Sequence, residues 1–101
     1  SREIGDRRSE GIVLGNLGLA YANLGETRKS IKYYEQDLAI AREIGDRHAE
    51  GNALGNLGLA YADLGETRRA IAHAEQAVTI LEQIESFDAA KARALLERLR
   101  K

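Results

Sequence analysis

The sequence predicts an all-α protein, a short helical solenoid of two antiparallel helix pairs closed by a fifth, capping helix. Three observations carry this. Residues 2–40 and 42–80 align at a fixed offset of 40 without a gap, and 26 of those 39 positions are identical. A period of this length marks stacked supersecondary units, each burying its apolar face only against its neighbours. No proline occurs, and the chain is rich in Ala, Leu, Glu and Arg, all good helix formers. Gly5, Gly25, Gly45 and Gly65 fall twenty residues apart, each after an apolar residue (Ile4, Leu24, Ile44, Leu64) and before Asp or Glu. That pattern closes one helix with a left-handed glycine and opens the next with an acidic residue.

The elements follow in order. Residues 1–6 read as the tail of a preceding repeat, residues 7–45 as the first unit, residues 46–85 as the second and residues 86–101 as a cap. First helices are expected over about 7–24 and 47–64, with Asp6 and Asp46 as N-caps. Second helices are expected over about 26–44 and 66–84. Leu14, Leu17, Tyr21 and Leu24 share helical spacing and form the predicted buried stripe of the first helix; Ile31, Tyr34, Leu38 and Ala41 do so for the second. Gly11, Gly15 and Gly18, with copies Gly51, Gly55 and Gly58, lie inside the first helices, each costing about 1 kcal/mol relative to Ala. Gly18 and Gly58, on the buried stripe, are expected to admit a close helix. Beyond Leu81 the repeat decays, and Ser86 or Asp88 should cap a last helix over about 89–100. Its Ala92, Leu95, Leu96 and Leu99 share one face, while Lys91, Arg93, Glu97, Arg98 and Arg100 cover the other.

Composition narrows function. The 101 residues make one small domain, 44% apolar and 31% charged, with net charge −1 and no cysteine. Thiolate metal sites and disulfides are excluded, and no global field draws nucleic acid or an acidic membrane. No apolar run approaches the roughly 18–20 residues that span a bilayer, so a cytoplasmic location is the default expectation. No phosphate loop, nucleophile–base pair or metal-ligand spacing is visible. The sequence implies no cofactor and no enzyme. Opening as it does on the end of a repeat, the chain reads as a piece of a longer array.

The residues of both units resemble the tetratricopeptide repeat. Its first-helix pattern is matched by Leu14, Leu17-Gly18 and Tyr21, and again by Leu54, Leu57-Gly58 and Tyr61, with Gly25 or Gly65 at the turn. The small residues of its second helix fall on Ala70 and Ala77, and in the first unit on Ser30 and Asp37; its aromatic falls on Tyr34, replaced by Ala74. Thr27 and Thr67 stand where the family opens that helix with an aromatic, and Arg42 and Glu82 stand in place of its closing proline. Without the proline the second helix can continue, which lengthens the period to 40. Long-period repeats of this kind resemble those of kinesin light chains and of the Leu-Gly-Asn repeat proteins. The resemblance implies a right-handed superhelix whose first helices line a concave groove that takes up extended or helical peptides.

On that geometry the partner-binding candidates are Asn16, Leu19, Asn23, Asn52, Asn56, Leu59 and Asp63, with Ile12, Gly15, Ala22, Gly55 and Ala62 beside them. An Asn amide both donates and accepts, so Asn16 and Asn56 could read a peptide backbone; the competing role is to tie adjacent helices together. Asp37 replaces a small core residue, and a buried carboxylate needs a partner, for which Asn56 or Tyr61 is the candidate. His48 and His73 lie on different helices, which argues against a metal site. The basic residues of the last helix suit a solvated face near a helix C-terminus. The expected function is a protein-interaction module binding a peptide or partner helix. The alternatives are self-association through the first helix pair around Ile4, Ile12 and Val13, a regulatory segment of a multidomain signalling protein, or an engineered repeat protein. The unequal changes between units, Asp37 against Ala77 and Tyr34 against Ala74, favour a natural origin.

Overall fold

The computed structural model describes residues 3–84 and 88–101. Its described elements are α1 (Ile4–Asn23), α2 (Thr27–Ile44), α3 (Arg47–Asp63), α4 (Thr67–Gln83) and α5 (Asp88–Arg100). Each helix packs on its neighbours in sequence, α1 on α2, α2 on α3, α3 on α4 and α4 on α5, and α5 also touches α3. The result is an all-α repeat solenoid measuring 44 × 31 × 18 Å.

Backbone chemistry sets the period. After α1 the Glu26 N–H donates to Tyr21 O at 2.9 Å and the Gly25 N–H to Ala22 O at 3.0 Å. After α3 the Glu66 N–H donates to Tyr61 O and the Gly65 N–H to Ala62 O at the same distances. This paired closure needs a left-handed residue, and Gly25 (φ 79°) and Gly65 (φ 76°) supply it. Asp46 caps α3 by accepting from the Ala49 N–H at 3.0 Å.

Two expectations are corrected at the start of the chain. Gly5 does not break a helix: α1 begins at Ile4 and runs through it, with Glu3 at the N-cap position. Gly5 does not take the left-handed φ that Gly25, Gly45 and Gly65 adopt. Asp6 therefore sits in the first turn of α1, where its charge favours the helix N-terminus, rather than at the cap. The expected caps of α5, Ser86 and the Asp88 side chain, lie outside the described residues.

The core belongs mainly to the second unit. Leu54 and Leu57 are 1% and 0% exposed, and with Ile31, Tyr34, Leu38, Tyr61 and Leu81 they join α2, α3 and α4. The equivalent stripe of α1 is not buried as expected. Leu17 is 37% exposed and Leu24 71%, because α3 is clasped between α2 and α4 whereas α1 packs chiefly on α2. The capping helix closes the far end: Leu95 and Leu96 bury against Ala74. Its Arg93 pairs with Glu82 and its Arg100 with Glu75, so part of its basic face is tied to α4 rather than solvated.

Candidate partner-binding groove

Among the described residues, clefts open along α1, α3 and α5, and three of them adjoin. One, of about 690 Å3, lies between α3 and α5 and is lined by Gly55, Asn56, Leu59, Leu95, Lys91 and Arg98 among others. The second, of about 440 Å3, lies between the two units and is lined by Arg8, Gly15, Asn16, Leu19, Asp37 and Ile40 among others. The third, of about 230 Å3, lies beside Tyr34, Ala60 and Asp63. Asn56 lines all three, Leu19 joins the second to the third and Leu59 joins the first to the third. They are segments of one furrow running across the helix pairs.

The helical period explains who meets there. Gly15, Asn16 and Leu19 fall on one side of α1, and Gly55, Asn56 and Leu59 repeat that side on α3. Leu19 and Leu59 are 52% and 48% exposed, an apolar strip along the clefts. The amides of Asn16 and Asn56 make no hydrogen bond among the described residues, so their donors and acceptors stay available. Asn52 contacts the His48 ring at 3.2 Å while lining two of the clefts. Asp63 reaches the third cleft, but its carboxylate accepts from the Thr27 hydroxyl at 2.6 Å and ties α2 to α3. Asn23 is exposed and lines none of the three clefts.

Asp37 has neither expected partner. It bonds neither Asn56 nor Tyr61; the α2 backbone instead aims it at the glycine side of α1. A Cβ on Gly15 would stand 2.9 Å from Asp37 Oδ2, and one on Gly11 would stand 3.3 Å from Oδ1. The carboxylate thus lies over two glycines at the floor of the 440 Å3 cleft, without a hydrogen bond among the described residues. Burial, and secondarily the charge of Asp46, push its pKa up to about 6. Burial and the Asp37 charge also raise the Tyr34 phenol above its ordinary range. The neighbouring Asp46 is already engaged, capping α3 with one oxygen and holding Arg8 Nη1 at 2.5 Å with the other.

Sequence reasoning missed Arg8, Lys91 and Arg98 as groove residues. The last two stand seven apart on α5, a same-face spacing that was legible; Arg8 was hidden because its counterpart is His48. No helix among the described residues is long and apolar enough to cross a membrane. No curated protein matches this sequence. The family model of the tetratricopeptide repeat matches residues 9–83. That match spans both helix pairs, with the glycine-closed turns and first-helix stripe already described, and the chain belongs to the tetratricopeptide repeat family.

Proposed function

We propose that this chain is a protein-interaction module that takes a partner segment along the furrow of α1, α3 and α5. The observation that supports it is the unengaged Asn16 and Asn56 amides beside the exposed Leu19 and Leu59, all on connected clefts. Apolar contact supplies affinity, and amides read backbone groups of whatever sequence lies there. The area offered by two units is small, so isolated peptides bind weakly and further repeats strengthen capture. The 40-residue period favours the long-period subgroup within the family. Binding is tested by partner capture with the wild type, with Asn16→Ala/Asn56→Ala, and with Lys32→Ala, exposed on α2 away from the clefts. Loss in the double variant alone supports the furrow; loss in the Lys32 variant alone moves the function to the outer face.

A second reading is self-association through α1. Val13, Leu17 and Leu24 form an exposed apolar strip at positions whose copies Ala53 and Leu57 are buried and Leu64 partly buried. Exposed contiguous apolar surface marks interaction sites.

A further inference from the structure

We infer that the cleft between the two units is an arginine pocket, in which the Asp37 carboxylate receives the guanidinium of a partner segment lying in the furrow. This rests on the groove reading and names the chemistry of its occupant.

Asp37 stands at a position where the second unit has Ala77, fully buried against its neighbours. The first unit puts a charge there, half-covered and without a hydrogen bond among the described residues. A carboxylate withdrawn from water and left without a donor destabilises the free protein. A donor arriving with a partner would remove that penalty, which makes such a group a candidate for binding. The cleft has room: about 440 Å3 lies within the range of roughly 300–1,000 Å3 typical of ligand pockets.

The surroundings favour arginine. The walls are apolar (Ile12, Leu19, Ile40) and suit its methylene stem, while Asn16 and Asn56 offer amide oxygens to donors that a carboxylate leaves over. Asp46, the other carboxylate of the cleft, is already engaged by Arg8 and the Ala49 N–H, which leaves Asp37 as the acceptor without a donor. The other end of the furrow carries Lys91 and Arg98, which repel a cation and direct it towards Asp37. The charge is not repeated: a Cβ on Gly55, the counterpart of Gly15, would meet nothing within 4 Å, so the pocket marks one register along the furrow.

The experiment is a titration of the isotope-labelled full chain, followed by amide NMR. The probes are a short capped peptide with one arginine between leucines and the same peptide with neutral citrulline instead. The arginine peptide is expected to shift the amides around Gly15, Asp37 and Asn56 and to bind about tenfold more tightly than the citrulline peptide. Both D37A, which takes the residue of the second unit, and the isosteric D37N are expected to abolish that preference. Circular dichroism checks their fold. Equal affinity of the two peptides, with shifts still in the furrow, overturns the arginine pocket and leaves the groove reading standing. Shifts confined to the outer faces of α2 and α4 overturn both. No shift at the solubility limit of the arginine peptide overturns the pocket.

Discussion

Gly18 and Gly58 hold the same register in α1 and α3, yet they meet different neighbours. A Cβ on Gly18 would stand 2.6 Å from the Tyr34 ring, whereas one on Gly58 would stand 3.3 Å from the Ala70 carbonyl oxygen and 3.4 Å from Leu95 Cδ2. Where the first unit fills the space beside the glycine with an aromatic, the second has Ala74, and α5 brings Leu95 to the vacated side. The need for a small residue was legible from the stripe; the identity of its neighbour was not, because Leu95 arrives from beyond the repeat. Gly58→Leu is expected to lower stability by roughly 1–3 kcal/mol through overpacking against backbone. Gly55→Ala, with open space around it, is expected to raise stability by up to about 1 kcal/mol. Thermal melts of the two variants check both signs. Asp37 gives the third residue-scale prediction. Its folded pKa, about 6, lies above the ordinary 3.8, so the folded state holds the proton more tightly than the unfolded chain. Asp37 therefore costs stability above about pH 6, and the penalty fades as pH falls towards about 4. The charged and titratable groups around it are Arg8, Tyr34, Asp46 and His48. D37A should be more stable than wild type by about 1–2 kcal/mol near neutral pH, a figure reduced for the water that still reaches the carboxylate, with the gap closing in acid. Denaturant unfolding across that range measures it.

Among the elements, α1 and α3 share most of their sequence and differ in what covers them. Leu57 is wholly buried between α2 and α4, while its copy Leu17 is 37% exposed. Leu57→Ala is expected to cost about 2–5 kcal/mol, and Leu17→Ala under about 1 kcal/mol, by chemical denaturation. No periodicity argument separates the two leucines, since the difference lies in what packs against each helix. The ion pairs between elements show the same asymmetry. Arg7 of α1 grips Glu43 of α2 through two hydrogen bonds of 2.6 and 2.7 Å, holding that carboxyl below its usual range. Forty residues on, Arg47 donates to the neutral Gln83 at 2.5 Å and pairs with Glu50, which also holds Arg42 of α2 at 3.1 Å. Glu50 is buried among these arginines, so its pairing fixes how one unit sits on the next. The helix boundaries themselves were legible, because left-handed glycines and an acidic cap are local chemistry. Gly5 was the exception: the same local pattern lies inside α1 there, without the left-handed φ of Gly25, Gly45 and Gly65.

At the scale of the whole molecule, one side is a furrow and one end is an open helix face. The furrow was legible from the family pattern, which assigns Asn16, Leu19, Asn56 and Leu59 to the same side. Its charge was not: Asp37 at one end and Lys91 and Arg98 at the other become neighbours of the same channel only through the stacking of α1, α3 and α5. The open face of α1 predicts concentration-dependent self-association in sedimentation, relieved by Leu24→Glu at the 71%-exposed position. A clean monomer at high concentration would contradict it. The central claim, that partners lie in the furrow, is tested most directly by hydroxyl-radical footprinting of a captured complex. Leu19, Leu59 and Leu24 are all exposed in the free chain and report on the furrow and the open face separately. Partner binding should shield Leu19 and Leu59 and leave Leu24 labelled as before. Shielding of Leu24 with Leu19 and Leu59 unchanged would place the partner on the open face of α1 and contradict the account.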